Sequence, residues 1–284
     1  LVEDTLADLD RTAHAATSTG GTHLPYDVVS LNIGSVAATH DLVVADDVVR
    51  VKPLAELGAL AHLLEEHPRA TVTVVGGGAT GLELAAHLSV LPAVERVRLV
   101  EGGEAVGADL PAGARRRLRR LLARRGVEVH CGMSVRELAG DGVLLADGRR
   151  LDHDVGLLAT GLVAPPLVAA LGLGGADGVP VTATLQHPDD PDLYAVGDCA
   201  HFLPHPLPRI GVHGVRQGPV LLASLVSRAR GDDLPTYEPQ RHALAVLDLG
   251  DGLGLAVRGR WWWQGRAALV LKRWIDRRWL RAYR

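Results

Sequence analysis

Three glycines in this sequence have the spacing of a dinucleotide-binding loop. Gly76, Gly78 and Gly81 form a GxGxxG motif within VTVVGGGATGLELAAHL, directly after a β-branched run and at the start of a helical pattern. The first glycine permits a tight turn, the second leaves room for a pyrophosphate, and the third lets the helix pack closely on the strand. The next backbone amides, at Ala79 and Thr80, lie at the positive end of that helix, where phosphate binds well. The motif therefore predicts a dinucleotide site.

Two acidic residues accompany the glycine motif. Glu101 ends the next predicted strand, where a carboxylate accepts both hydroxyls of the adenosine ribose and repels a 2′-phosphate, so that NAD(H) is favoured over NADP(H). Glu83 lies two residues after Gly81. It either contacts the cofactor or only stabilises the first helical turn through the helix dipole. The spacing leaves both roles open.

The glycine motif lies within an alternation of strands and helices. Apolar and β-branched runs predict strands at residues 71–75 and 96–100, on either side of a helix at 82–91. Helical spacing of apolar residues predicts two further helices, at 54–66 and 115–125. This alternation is typical of an α/β fold with a parallel sheet.

Other patterns extend the predicted elements to both sides of this region. Residues 26–34 read as a buried strand that ends in a turn at Gly34, and residues 135–160 read as antiparallel strands. The remaining predicted elements are a strand at 193–196, a helix at 214–228, strands at 244–249 and 253–257, and a basic helix at 266–283.

Composition narrows the class of protein. The 284 residues are 47% hydrophobic and 22% charged, which allows one large domain or two interlocked domains with a buried core. We expect neither a transmembrane helix nor a signal peptide, because no apolar run is long enough and the first residues are acidic. Cys131 and Cys199 form no CxxC pair, which suits a reducing cytoplasm and predicts no metal site. A cytoplasmic protein without a nucleic-acid partner is expected.

Five motifs in a fixed order give the chain a resemblance to a known superfamily. YDVVSLNIGS, VKP, GGGATGLE, LLATG and LYAVGDCA together resemble the pyridine nucleotide-disulfide oxidoreductases, and the chain looks most like type II NADH dehydrogenases. The stretches GVHGVRQGPVLLASL and LKRWIDRRW are similar to the flavoprotein found alone or fused to selenide, water dikinase. The resemblance implies an α/β fold of two interlocked Rossmann-like domains, each built from three layers in the order ββα, and FAD and NAD(H) as cofactors.

The resemblance also implies a division into domains. It places a partial FAD-binding domain at residues 1–53 and 162–236, an NAD(H)-binding domain at 54–161, and a small α+β segment at 237–284. In this superfamily an earlier GxGxxG motif holds the ADP half of FAD, and the resemblance places that motif upstream of Leu1. We therefore expect an FAD domain that is truncated at its N-terminus.

Eight residues match flavin-contacting positions of the superfamily. They are Gly34, Lys52, Thr160, Gly161, Gly197, Asp198, His213 and Gln217. A carboxylate such as Asp198, at a strand end beside a glycine, can accept hydrogen bonds from the ribityl chain. For Lys52, His213 and Gln217 a surface or capping role is equally open. No side chain is expected to be catalytic, because the flavin would be the redox centre.

The C-terminal tail is basic and aromatic. All five tryptophans and an excess of arginine lie within residues 257–284. One face of the predicted last helix collects Leu271, Trp274, Ile275, Trp279 and Tyr283. This face either docks on anionic lipid, which would make residues 261–284 a peripheral membrane contact with access to quinone, or packs against protein.

The leading hypothesis is an FAD-dependent NADH oxidoreductase that passes electrons to a quinone-like or other small-molecule acceptor. One alternative is a non-catalytic NADH-binding module linked to selenium metabolism, and the other is a ferredoxin or rubredoxin reductase. Attachment to the inner face of the membrane and formation of a homodimer are left open by the sequence.

Overall fold

The computed structural model describes residues 1–281, so Tyr283 of the predicted last helix lies outside the described residues. The strands are β1 (Leu6–Asp10), β2 (Ala15–Ser18), β3 (His23–Pro25), β4 (Val29–Leu31), β5 (Val36–Ala37), β6 (Val43–Val44), β7 (Val49–Arg50), β8 (Ala70–Val75), β9 (Val94–Val100), β10 (Glu128–His130), β11 (Val135–Ala139), β12 (Gly142–Leu145), β13 (Arg150–Asp152), β14 (Val155–Leu158), β15 (Leu162–Val163), β16 (Val179–Val181), β17 (Gln186–His187), β18 (Asp190–Ala195), β19 (Ala200–Phe202), β20 (Leu244–Asp248), β21 (Gly254–Arg258) and β22 (Trp261–Gly265). The α-helices are α1 (Ala59–Glu66), α2 (Ala79–Leu88), α3 (Ala112–Arg124), α4 (Pro166–Ala170), α5 (Gly211–Arg230) and α6 (Arg266–Arg281).

The chain forms two compact units. Unit 1 contains residues 1–36 and 162–240, and unit 2 contains residues 37–161 together with the described residues from 241 onward. This division differs from the predicted domains in three respects, of which the smallest is that the second segment of unit 1 ends at 240 and not at 236. The predicted boundary at 53 moves to 36, because β6 and β7 pair with β11 and β14 of unit 2. The C-terminal strands and helix, predicted as a separate segment, belong to unit 2 because they share its core.

A parallel sheet with the order β10-β9-β8-β14-β7 forms the centre of unit 2. All residues of β8 except Thr71 are buried, as expected for a strand covered on both faces. Leu82 of α2 and Leu118 and Leu122 of α3 are almost fully buried in the core that contains this strand. The mixed α/β fold predicted from the sequence is confirmed.

A second sheet in unit 2 has the order β13-β12-β11-β6. The first three strands are antiparallel, as the Gly-rich pattern at residues 135–160 predicts. The prediction was wrong for β14, which lies in the parallel sheet between β8 and β7. All four residues of β14 are buried, and an uninterrupted apolar run is typical of an inner parallel strand.

Unit 1 combines short sheets with one long helix. Its sheets are the antiparallel β1-β2-β3, the parallel pair β16-β19, and β17-β18-β4, in which β18 runs parallel to β4. The β1–β3 sheet was not predicted, because its strands are short and only Leu9 and Ser18 in them are buried. The core of unit 1 is centred on β18, where Leu193, Tyr194 and Ala195 are fully buried.

The C-terminal part of unit 2 is the antiparallel sheet β20-β21-β22 followed by α6. Strand β22 was not predicted, because three consecutive tryptophans do not alternate in polarity. They alternate in burial instead: Trp261 and Trp263 are exposed, and Trp262 is half-buried. In α6, Ala268 and Leu269 are buried, whereas Trp274 is 58% exposed.

None of the helices formed by residues 1–281 is long and apolar enough to span a lipid bilayer.

Candidate functional site

The glycine loop lies between β8 and α2, where two of its glycines are sterically required. Gly76 has a φ of +113°, and a Cβ there would lie 2.3 Å from the carbonyl oxygen of Ala159, which directly follows β14. A Cβ on Gly81 would lie 1.8 Å from the carbonyl oxygen of Gly76. The first and third glycines therefore allow the close turn and the close helix packing that the motif predicts.

Gly78 stands at the opening of α2 and has space around it. It is exposed, its φ is −72°, and no heavy atom of the described residues lies within 4 Å of the position that a Cβ would take. The helix has no side-chain cap at its N-terminus, and Ala79 and Thr80 in its first turn are exposed. An exposed helix N-terminus with uncapped amides is suited to an anion such as a dinucleotide diphosphate.

Glu101 follows the end of β9 beside the glycine loop. Its carboxylate accepts hydrogen bonds from the backbone amides of Gly77 (2.6 Å) and Gly103 (2.7 Å). A Cβ on Gly77 would lie 2.8 Å from Oε2 of Glu101 and 2.6 Å from a methyl carbon of Val106. Sequence reasoning did not select Gly77, although the uninterrupted GGG run was a signal for it. Glu101 thus fixes the loop, and its contact with the ribose stays a prediction.

Replacing Glu101 with alanine is expected to weaken NADH binding about 10- to 100-fold, because the carboxylate orders two loop amides and is predicted to bind the ribose hydroxyls. Discrimination against NADPH should fall as well, since the repelling charge is lost. Calorimetric titration with both nucleotides measures the two effects. Glu95→Ala is the control, because Glu95 lies on the same strand but pairs with the exposed Arg69. Unchanged NADH affinity in Glu101→Ala would contradict the assignment.

Glu83 is engaged by the C-terminal part of unit 2. Its Oε1 accepts a hydrogen bond from the backbone amide of Asp248 (2.8 Å), and Nζ of Lys272 lies 3.8 Å from the same oxygen. The structure therefore gives this carboxylate two protein partners, and its contact with the cofactor stays a prediction. The sequence could not show this, because Asp248 is 165 residues away.

In unit 1, the predicted flavin residues Gly34, Gly197 and Asp198 lie close to β4 and β18. Gly197 has a φ of +74° and opens the 3₁₀ turn Gly197–Cys199. The hydroxyl of Ser35, which follows Gly34, donates to Oδ2 of Asp198 (2.8 Å). Gly34 and the Gly197–Asp198 pair, which are far apart in the sequence, are thus brought close together in unit 1. Their contact with flavin stays a prediction.

Two residues of unit 1 hold the Gly197–Asp198 turn in place. The amide oxygen of Gln217, which is 1% exposed, accepts from the backbone amide of Gly197 (2.6 Å). The guanidinium of Arg209 donates to the carbonyl oxygen of Asp198 (2.9 Å) and to three further carbonyl oxygens of unit 1. Gln217, predicted to lie near the flavin, therefore orients the turn. Arg209 was missed because carbonyl partners leave no sequence signal.

His213 lies in the first turn of α5 and is buried. A hydrogen bond of 2.9 Å joins its Nδ1 to the hydroxyl of Tyr237. Burial lowers the pKa of His213 and raises the pKa of Tyr237, so both side chains are neutral near pH 7. Within residues 1–281 no side chain caps the N-terminus of α5, where the amide of His213 donates to the carbonyl oxygen of Ile210 (3.1 Å). The amides of Gly211 and Val212 can donate to an acceptor such as a flavin carbonyl or a phosphate.

The other residues predicted to contact flavin lie in unit 2. The hydroxyl of Thr160 donates to the carbonyl oxygen of Ala38, and the carbonyl oxygen of Gly161 accepts from the amide of Ala38 (2.7 Å). Lys52 is half-buried, and its carbonyl oxygen accepts from the amide of Ala37. Hydrogen bonds thus link Thr160 and Gly161 to Ala38. Flavin contacts for these three residues stay predictions.

The family model for pyridine nucleotide-disulphide oxidoreductase matches residues 3–218. A nitric oxide reductase FlRd-NAD(+) reductase of Salmonella arizonae is 28% identical over 89% of this chain and 71% of its own length. A rubredoxin-NAD(+) reductase of Alcanivorax borkumensis is 33% identical over 66% of this chain and 51% of its own length. The crystal structure of the ferredoxin reductase for the CYP199A2 system of Rhodopseudomonas palustris superposes with a TM-score of 0.76 and 26% identity, over 91% of this chain and 64% of that one.

Proposed function

Because the chain belongs to the pyridine nucleotide-disulphide oxidoreductase family, we propose that it is an NADH-dependent flavoprotein oxidoreductase. The observation that carries the proposal is the space at Gly78, beside the uncapped first turn of α2 and next to Glu101. Few arrangements other than a dinucleotide site need an open glycine, free helix amides and a strand-end carboxylate in one place.

Unit 2 supplies the groups that bind NADH. The backbone amides of Ala79 and Thr80 would donate to the diphosphate, and Gly78 leaves it room to approach the main chain. Glu101 would accept hydrogen bonds from the ribose hydroxyls while keeping its bonds to the loop amides. These groups bind and orient the nucleotide and take no part in bond making.

Unit 1 has a donor set that fits the ribityl and pyrimidine parts of FAD. Asp198 would accept from ribityl hydroxyls, held in place by Ser35, while Gln217 fixes the turn that carries it. The uncapped amides that begin α5 would donate to a carbonyl or phosphate oxygen. When bound, FAD supplies the chemistry that accepts a hydride from NADH and passes electrons on.

For the electron acceptor, we propose a small electron-transfer protein. The names of both relatives and of the similar solved structure point to protein acceptors. The basic surface of α6, formed by Arg273, Arg277 and Arg278, adds support, because it favours a partner with an acidic docking face. This is the ferredoxin or rubredoxin reductase alternative from the sequence, now placed ahead of a small-molecule acceptor.

A quinone at a membrane surface is the second candidate acceptor. It is favoured by one observation: α6 carries exposed Val270 (65%) and Trp274 (58%) among its arginines, and Trp261 of β22 is 82% exposed. Such a basic, aromatic surface suits the interface of an anionic bilayer. Co-sedimentation with vesicles rich in phosphatidylglycerol, but not with phosphatidylcholine vesicles, would support it. Absence of binding to both kinds of vesicle would rule out a membrane quinone as the acceptor.

The oxidoreductase proposal is tested by anaerobic addition of NADH to the chain saturated with FAD. We expect the visible flavin absorbance to bleach, because NADH bound at the glycine loop reduces the flavin. Bleaching should be much faster than with free FAD, and Gly78→Val should abolish this acceleration. If the flavin in the saturated chain is reduced no faster than free FAD, the proposal is wrong.

A further inference from the structure

Two side chains of α2, the dinucleotide-binding helix, contact the C-terminal module. This module consists of β20–β22, with the turns between them, and α6. Glu83 accepts the amide hydrogen of Asp248 at the end of β20 and lies near Lys272 of α6. One helical turn later, Nε2 of His87 lies 3.1 Å from Oδ1 of Asp248. Asp248 is therefore held through both its main chain and its side chain by residues four apart on one face of α2.

A third contact fixes the far end of the same helix. Arg125, which follows α3, donates from Nη1 to the carbonyl oxygens of Ala86 in α2 and of Leu249 in the turn after β20. The next residue of that turn, Gly250, packs against α2, since a Cβ on it would lie 3.5 Å from the carbonyl oxygen of Ala86 and 3.6 Å from Cα of His87. The side chain of Arg125 is only 13% exposed, so these bonds are shielded from water.

The module also completes the hydrophobic core beneath α2. Leu249 and Leu255 are no more than 1% exposed and belong to the same core cluster as Leu82 and Ala85 of α2. A helix of ten residues is marginally stable without such packing. The position of α2, and with it the position of the amides in its first turn, therefore depends on the C-terminal module.

We propose that the C-terminal module is a clamp that positions α2 for dinucleotide binding, and that Glu83 is the positioning residue through which it acts. This inference rests on the proposed NADH site, but it gives Glu83 a different task from nucleotide contact. A partner that binds α6 would affect the position of α2 through Lys272 and the turn after β20. Docking of an electron acceptor on α6 would thereby change the affinity of the chain for NADH.

The test compares Glu83→Ala with Glu83→Gln in the full chain. Alanine removes the acceptor for the Asp248 amide, so hydrogen exchange of the α2 amides should accelerate and the Kd for NADH should rise, each roughly tenfold. Glutamine keeps an oxygen acceptor, so both quantities should stay within about threefold of wild type. Exchange is followed by mass spectrometry without nucleotide, and the Kd by calorimetry.

A core variant separates positioning from general destabilisation. Leu145→Val trims a buried side chain in the core of the second sheet of unit 2, so it should lower thermal stability and leave the Kd for NADH unchanged. Unaltered α2 exchange in Glu83→Ala would overturn the clamp, and so would equal loss of NADH affinity in the alanine and glutamine variants. If wild type binds no NADH while Glu83→Ala still loses α2 protection, the proposed function fails and the clamp stands.

Discussion

Replacing Gly78 with valine is expected to weaken NADH binding at least 100-fold, a loss of about 3 kcal/mol, while the chain stays folded. A Cβ has room in the free protein, because no heavy atom of residues 1–281 lies within 4 Å of its position, and the φ of −72° suits any residue. The valine side chain would occupy the space that the diphosphate needs for its approach to the main chain. The only expected cost in stability is about 1 kcal/mol, from a poorer N-cap of α2.

Gly58→Val is a matched control for this experiment. Gly58 is also a helix N-cap in unit 2, has a φ of −60° and has no heavy atom within 4 Å of its Cβ position. The two variants should unfold at similar temperatures, and only Gly78→Val should lose the calorimetric signal for NADH. Full NADH affinity in a folded Gly78→Val protein would show that the nucleotide does not bind at this loop.

The local structure of the dinucleotide site could be predicted from the sequence. The glycine spacing, the β-branched strand before it and the acid at the end of the next strand are all encoded within about one βαβ unit. Short-range spacing is sufficient for Gly81, because the carbonyl oxygen of Gly76 in the same unit requires it. Gly76 is required by the carbonyl oxygen of Ala159, which lies outside this unit. The α/β fold followed from the same alternation of elements.

The remaining parts of the site depend on contacts between distant residues. Glu83 is held by Asp248, and Gly197 is held by Gln217, through a backbone amide in each case. Any residue other than proline provides a backbone amide, so no residue type in the sequence marks the partner. Arg209 could not be predicted for a similar reason. Among the described residues its guanidinium donates only to backbone carbonyl oxygens, which every residue provides. These contacts determine which of the predicted site residues are available to bind a ligand.

Replacing Gly81 with alanine is expected to reverse the usual effect of this substitution in a helix. Alanine normally stabilises a helix by up to about 1 kcal/mol relative to glycine. Here the added Cβ would lie 1.8 Å from the carbonyl oxygen of Gly76, a backbone atom that cannot move without opening the turn between β8 and α2. We expect a loss of about 3 kcal/mol or more in the free energy of unfolding.

Thermal unfolding without nucleotide measures this loss, with Gly211→Ala as the control. Gly211 is the first residue of α5, and no heavy atom lies within 4 Å of its Cβ position, so alanine should be neutral or slightly stabilising there. Gly78→Val is expected to remove NADH binding at little cost in the free energy of unfolding, whereas Gly81→Ala is expected to lower the free energy of unfolding directly. The two variants therefore distinguish a glycine that leaves space for the ligand from a glycine that the fold requires. Wild-type stability in Gly81→Ala would mean that α2 does not pack on the loop this closely and that the fold does not require a glycine at this position.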